Sequence, residues 1–298
     1  MRNTKSGLTA TIVFQASSAN YGESLGNVAS LKKFTRGDGQ QYTYISRQAM
    51  RYNMIQELGE NLAPLEAQGS GDKKVIQFSP NASIENSPEI DLFGYMRTEK
   101  SKNASVRSAK VRLSNAISQE PYAGDTDFLT NLGLATRLNQ EKHDDVVYNN
   151  IAQSEIQQSY YCYTVNIDLD QIGIDANDDI ELDDTEKARR VNKLLTTIQY
   201  LYRDIRGRRE DLKPLFIVGG IYDIKNPIFE NVVQVHNNNI DIDAIKSVLS
   251  DEMIKNDTEI GIVDNMFTND AEIKQELPTE NVAQFMTNLK HKVDQFYK

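Results

Sequence analysis

The sequence predicts an α+β fold: a ferredoxin-like β-α-β-β-α-β core carrying large insertions. Three observations lead there. The segment "IQQSYYCYTVNIDLD" (156–170) alternates Tyr161, Tyr163, Val165 and Ile167 with Cys162, Thr164, Asn166 and Asp168, the period of a half-buried strand. The segment "DDTEKARRVNKLLTTIQYLYRDIRGRRE" (183–210) repeats apolar residues at helical spacing. Around these two, strand-like and helix-like segments follow one another in the order that such a core requires.

"GLTATIVFQA" (7–16) has strand composition and opens the core. Residues 17–40 form a Gly-, Ser- and Asn-rich loop carrying Lys32, Lys33 and Arg36, and "YTYI" (42–45) is a short strand. A helix then runs from Ser46, its N-cap, to Leu58 and stops at Gly59, with Ala49, Met50, Ile55 and Leu58 as its apolar stripe. Residues 60–90 read as a loop-rich insertion. "EIDLFGYM" (89–96) and "VRSAKVRLSNAIS" (106–118) read as strands, and 119–150 as a long polar connection. In the 183–210 helix, Asp183 or Asp184 caps the start, Arg203 and Arg206 occupy the last turn, and Gly207 closes it. "LKPLFIVGGIY" (212–222), "IFENVVQVH" (228–236) and "EIGIVD" (259–264) are strands. Residues 240–250 form a short helix and 279–297 an amphipathic one, within a C-terminal extension, 237–298. All 298 residues are expected to form a single domain with insertions.

Composition narrows the class. With 39% hydrophobic and 26% charged residues the chain is expected to be folded and soluble. No run reaches the roughly eighteen apolar residues of a membrane span. The start, "MRNTKSGLTATIVFQASS", reads as a first strand and not a signal peptide. The single Cys162 excludes an internal disulfide framework, so a cytoplasmic protein is expected. Net charge is −10, but unevenly spread: residues 1–120 hold 15 Lys/Arg against 11 Asp/Glu, and 121–298 hold 18 against 32. A local basic surface suffices to bind a phosphate chain, so the acidic total does not exclude nucleic acid.

Several chemistries have no residues to carry them. The three histidines, His143, His236 and His291, form no metal-binding spacing, and one cysteine makes no zinc site. There is no GxxxxGK[ST] or GxGxxG, and the Gly pair of "VGGIY" reads as a close backbone approach. "DLDQIGIDANDDIELDD" (168–184) lacks the spacing of a Ca²⁺ loop and reads as a solvated acidic turn. No cofactor or metal is expected.

Basic groups are what the sequence offers instead. One is "LKKFTRGDGQ"; a second is "SRQAMR", where Arg47 and Arg51 share a helix face behind a helix N-terminus that attracts anions. A third is "RTEKSKNASVRSAKVR", with Arg97, Lys100, Lys102, Arg107, Lys110 and Arg112. Each has a bland reading: charge runs are solvated faces, Arg47 and Arg51 pair with Glu57 or other acids, and Arg203–Arg209 is a helix C-cap cluster. The first two groups flank one short strand and so lie near each other in space. The tyrosines, 14 in all, suit base stacking, yet Tyr160, Tyr161 and Tyr163 suit the sheet equally.

The run "ANYGESLGNVASLKKFTRGDGQQYTYISRQAMRYNM" (19–54) resembles the start of the DevR-type backbone subunits of CRISPR Cascade, the Cas-seven family, type I-B branch. "DLFGYM" (91–96), "SAKVRLSNAISQEPYAGDTDFLTN" (108–131), "YNNIAQSEIQQSYYCYTVNIDLDQIG" (148–173) and "ARRVNKLLTTIQYLYRDIRGRREDLKPLFIVGG" (188–220) extend the likeness over most of 7–235. The resemblance implies a palm of modified RNA-recognition (RRM-like) fold, finger insertions, and a β-hairpin thumb at about 116–155. It implies copies stacked along one guide RNA (crRNA), each thumb displacing a base, with the intervening bases presented to a target DNA strand beside other Cascade subunits. Carried over residue by residue, the RNA track comprises Lys32, Lys33, Ser46, Arg47, Gln48 and Arg51. Met96 stands next to the displaced base, and Arg206, Arg208 and Arg209 lie near the RNA. The usual aromatic signature of an RNA-recognition sheet is not evident on the central strands.

The function expected from this is a non-catalytic guide-RNA-binding backbone subunit. Two alternatives stand beside it. One is a backbone endoribonuclease of the type III kind using a loop acid, for which Asp38 is placed, although glycines bracket it as in a turn. The other is a protein-binding regulatory module that uses the acidic C-terminal half.

Overall fold

The computed structural model describes residues 6–17, 19–26, 28–68, 74–98, 104–141 and 146–298. Lys100, Lys102 and His143 of the sequence reading lie outside the described residues. A nine-stranded mixed sheet organises the chain. In spatial order it runs Thr279–Asn281, Thr258–Ile262, Phe216–Tyr222, Gly7–Ala16, Ser159–Asp168, Ala116–Ser118, Gln41–Ile45 and Lys33–Thr35, with Val111–Leu113 also paired to Ser159–Asp168. Thr258–Ile262 and Thr279–Asn281 are parallel; the pairs at the centre are antiparallel. The opening strand is central and pairs over its whole length, from Gly7↔Asp168 to Ala16↔Ser159. On its other edge Leu8↔Ile221 and Ile12↔Ile217 set the register with the strand that holds the Gly pair. A Cβ on Gly219 would strike the Thr9 carbonyl and one on Gly220 that of Asp257, so the pair does permit close backbone approach.

Alternation sorts the side chains into two layers. Leu8, Ala10, Ile12 and Phe14 face a core closed by the helices Arg47–Leu58, Asp184–Gln199 and Val282–Phe296. Tyr161 and Tyr163 lie in this core, so they serve packing and not bases. On the opposite face, Val13, Phe216, Val218 and Ile260 pack under the C-terminal segment, through Phe229, Val235, Ile245, Phe267 and Ile273. The C-terminal extension therefore covers part of both faces. Among the described residues no helix is long and apolar enough to cross a membrane.

Local expectations needed correction where tertiary pairing overrides pattern. "EIDLFGYM" is not one strand: Pro88 opens the helix Pro88–Phe93, Gly94 ends it at φ 75°, and only Tyr95–Arg97 is extended. The 183–210 helix stops at Gln199, and a hairpin, Tyr202–Ile205 with Arg208–Asp211, replaces its last turns. Arg206 and Gly207 both have positive φ, 49° and 76°, as a two-residue hairpin turn demands. "IFENVVQVH" is a series of turns with only Val235–His236 extended, because Asn226 and Pro227 start turns that Phe229 anchors. The loop 17–40 holds the strands Tyr21–Leu25, Val28–Leu31 and Lys33–Thr35, and 60–90 holds the hairpin Leu65–Gln68 with Val75–Phe78. The 106–118 strand is broken into Ser105–Arg107, Val111–Leu113 and Ala116–Ser118. In the long connection, Asp125–Thr130 pairs with Ile151–Ile156 and the helix Leu132–Glu141 lies between them in sequence.

A buried ionic cluster ties the helix Pro88–Phe93 and the strand Ser105–Arg107 to the helix Asp184–Gln199. Asp91, fully buried, accepts from Arg107 Nη2 at 2.7 Å, Arg190 Nη1 at 2.9 Å and the Gly173 amide at 2.9 Å. Glu186 accepts from Arg190 Nε at 2.6 Å and from Arg189 at 2.6 Å. The Arg189 hydrogen bond first, then that of Arg190, hold its carboxyl at about 2 against the opposing effect of burial. The folded-state value lies below the ordinary 4.5, so the Glu186 contribution is complete above 4.5 and fades as pH falls towards 2. Urea unfolding of wild type and Glu186→Gln over that range should therefore show a stability gap that closes with acid. The acidic turn is spoken for as well: Asp178 pairs with Arg97, and Asp175 accepts from Tyr95 Oη at 2.9 Å.

Candidate nucleic-acid interface

The C-terminal segment leaves part of the second sheet face open, and there the alternation that builds the core turns polar. Thr9↔Asn166↔Arg112 forms one row across three strands, and Thr11↔Thr164 the next. The Thr11 and Thr164 hydroxyls meet at 2.7 Å, and the Thr164 amide donates to Ser114 Oγ at 2.9 Å. Arg112 Nη1 pairs with Asp168 at 2.7 Å. Thr9 Oγ1 and Asn166 Oδ1 are buried with no hydrogen-bond partner among the described residues. No aromatic stands on this face of the two central strands from Thr9 to Val13 or from Cys162 to Asn166.

Arg112, Ser114, Thr164 and Asn166 of this polar face line a groove of about 600 Å³. Phe34, Arg36 and Arg47 line one side, and Glu230, Asn231 and Gln234 line it from the C-terminal segment. An adjoining hollow of about 360 Å³ shares Arg47, Arg112 and Leu113 and adds Gln48, Arg51 and Phe93. Arg36, Arg47, Arg51 and Arg112 thus serve one connected depression. Arg36 lies 4.1 Å over the Tyr42 ring and Arg51 5.4 Å over Phe93, which fixes each head without neutralising it. Arg47 is exposed, and neither it nor Arg51 has an ion pair among the described residues. The proposed pairing with Glu57 is absent from the described contacts. Beside them Lys110 is held below its ordinary value, by burial first and by Arg107 second.

The helix start is built as its sequence indicates, with one difference. Ser46 Oγ accepts from the Ala49 amide at 3.3 Å and from Asn20 Nδ2 at 3.1 Å. The Arg47 amide donates to Asn115 Oδ1 at 2.9 Å. Two of the amides expected to attract an anion are therefore already satisfied inside the protein, and the attraction here comes from the guanidinium groups and the helix dipole.

The other predicted residues divide. Lys32 is half-buried beside the groove-side strand and has no ion pair among the described residues. Lys33 Nζ is held by Glu155 at 2.6 Å and lies 4.0 Å over the Tyr122 ring. Burial, and Glu155 after it, push the Tyr122 hydroxyl up to about 12. Arg206 lies 3.8 Å over Tyr21, Arg208 pairs with Glu210 at 3.1 Å, and Arg209 with Asp204 at 2.9 Å. These three sit on the hairpin and do not line the groove. Met96 is 59% exposed and lies opposite Val106, itself 57% exposed, on the hairpin Tyr95–Arg97 with Ser105–Arg107. Asp38 accepts from Tyr42 Oη at 2.7 Å and the Gln40 amide at 2.9 Å, and these two bonds lower its carboxyl. It is an Asx-turn residue in this geometry. Among the described residues no group of three or more metal-ligating side chains exists.

Sequence reasoning placed Arg36 and Arg112 in basic groups without assigning them to the site. It missed Asn115, Asn166 and Glu230, for which no local signal exists, since each is brought in by pairing or packing over long separations.

The family model described as "CRISPR-associated negative auto-regulator DevR/Csa2" matches residues 8–242. Two solved structures share the fold. A chain of a structure described as "CRISPR RNA-guided surveillance complex, pre-nicking" aligns with TM-score 0.58 and 10% identity, covering 97% of this chain and 100% of that one. A chain of a "CRISPR RNA-guided surveillance complex" aligns with TM-score 0.59 and 13% identity, covering 96% and 99%. At such identities the likeness is one of fold. A comparison with curated proteins found no match.

Proposed function

The chain belongs to the DevR/Csa2 family of CRISPR-associated proteins, and on that premise we propose that it is a non-catalytic, cytoplasmic guide-RNA-binding subunit, repeated along the RNA backbone of a type I-B interference complex. The observation that carries this reading is the arginine-lined depression over a polar sheet face. Cations at the edge grip phosphates while the floor makes no base-stacking platform, so RNA of any sequence is held and its bases stay available to a target DNA strand.

The RRM-like palm draws support from the order of the four central strands, fourth-first-third-second in the chain order of the core, with two crossover helices on one face. The hairpin at 65–78 suits a finger within 60–90. The arm Asp125–Thr130 with Ile151–Ile156 suits a thumb within 116–155 that reaches a neighbouring copy. Asp38, spent on its own turn, gives the nuclease alternative little to work with.

Protein freed of nucleic acid and mixed with single-stranded RNAs of increasing length should give masses by light scattering that rise in steps with RNA length. A monomer at every length would overturn the proposal. RNA cleavage that needs a metal and vanishes in Asp38→Asn would replace it with the nuclease reading.

A further inference from the structure

The groove carries one charge of the wrong sign for a phosphate channel. Glu230 lines it together with Arg36 and Arg47, and is half-buried. Its backbone amide closes a turn onto the Pro227 carbonyl at 3.0 Å, which fixes where the residue stands. Its carboxylate has no hydrogen bond or ion pair among the described residues, although unpaired arginines share the groove. Burial first and Glu230 second push the Cys162 thiol in the floor up, and Arg36 opposes them. The groove is thus lined by cations from the helix and loop side, and by a carboxylate and two amides, Asn231 and Gln234, from the C-terminal segment.

An ionised carboxylate only accepts hydrogen bonds. Phosphate oxygens also only accept, so a phosphate against Glu230 meets like charge and no donor. Deoxyribose within a DNA strand has no hydroxyl to offer. Ribose within an RNA strand has one, the 2′-hydroxyl, which can donate. Acidic side chains read that hydroxyl in dinucleotide-binding folds for the same reason. A strand whose phosphates meet Arg36 and Arg47 has its sugars and bases left to meet the C-terminal wall.

We propose that Glu230, with Asn231 beside it, accepts a hydrogen bond from a ribose 2′-hydroxyl and makes this groove select RNA over DNA. The inference rests on the reading of the groove as an RNA site. Glu230 is a specificity residue in this role: it adds affinity where a donor is present and repels the strand where none is.

The test uses three single strands of one sequence: RNA, DNA, and RNA methylated on every 2′ oxygen, which keeps that oxygen and loses its donor. Affinities are measured by fluorescence anisotropy at one fixed salt concentration, for wild type, Glu230→Ala, Glu230→Gln and the double variant Arg47→Ala with Arg51→Ala. Thermal melts show that each variant is folded. Wild type should bind RNA at least about tenfold more tightly than DNA, the size expected of a charge-assisted hydrogen bond. Methylated RNA should fall with DNA. Glu230→Ala should collapse the RNA-to-DNA ratio by about tenfold, in part by improving DNA binding, and Glu230→Gln should retain part of the ratio. An unchanged ratio in Glu230→Ala, with binding still weakened by the arginine variants, would overturn the inference and leave the RNA site standing. Equal losses on RNA and DNA would also overturn it, by assigning Glu230 to base amino groups. Failure of the arginine variants to weaken RNA binding would overturn the groove reading itself and this inference with it.

Discussion

Replacing Asp91 with alanine should cost the protein about 3–5 kcal/mol of folding stability, enough to consume much of the 5–15 kcal/mol typical of a domain. The reason is the company Asp91 keeps. Arg107 and Arg190 are both buried, with side chains 4% and 1% exposed, and the carboxylate lies between them. Truncation leaves two guanidinium groups in a dry interior with backbone carbonyls as their remaining buried partners. Glu186 at the rim still compensates Arg190, which keeps the loss from being larger. The cluster joins the Pro88–Phe93 helix, the Ser105–Arg107 strand and the Asp184–Gln199 helix, so its loss should also detach the first two from the core. Urea denaturation gives the midpoint shift. Hydrogen exchange should show protection lost first at Tyr95 and Arg107, whose ladder depends on Arg107 staying in place. A shift smaller than about 1 kcal/mol would mean that the cluster is dispensable.

The second large effect is on binding. The double variant Arg47→Ala with Arg51→Ala should weaken single-stranded RNA on the order of 30-fold, at about 1 kcal/mol per lost phosphate contact. The loss should be the same for every sequence. A plot of log affinity against log salt should become shallower by about 1.4, or about 0.7 per phosphate released. These two arginines are singled out because no described acid neutralises them, whereas Arg209 and Lys33 are already paired within the chain. Arg209→Ala should therefore change RNA affinity by less than threefold or so. Filter binding across a salt series checks all three statements, and a loss confined to one RNA sequence would remove phosphate contact as the role of Arg47 and Arg51.

Features with a local cause could be read from the sequence. Ser46 caps its helix because its side chain reaches an amide three residues on, and Tyr161, Tyr163, Val165 and Ile167 face the core because strands alternate. The hairpin after Gln199 could not be read so easily. Leu201, Tyr202 and Ile205 continue the helical spacing, and it is the pairing of Tyr202–Ile205 with Arg208–Asp211 across the turn that makes strands of them. Of the three short strands between Ser105 and Ser118, the last two owe their form to the distant Ser159–Asp168, and the first pairs locally with Tyr95–Arg97. The same limit governed the site. Its cations were visible as residue types, but Lys33 is committed to an acid 122 residues away, a separation no spacing rule spans. The groove's carboxylate came from a segment read as a strand, which placed no charge beside the sheet face.

The pairing of the opening strand has a consequence for synthesis. Thr11 and Thr164, whose hydroxyls meet beneath the groove, are 153 residues apart. At about 5–20 residues per second a ribosome takes on the order of 10–30 s to deliver the second after the first. Through that interval an apolar, β-branched segment waits with both edges unpaired, since its other neighbour, Phe216–Tyr222, comes later still. The floor thus cannot form until more than half of the chain has been made.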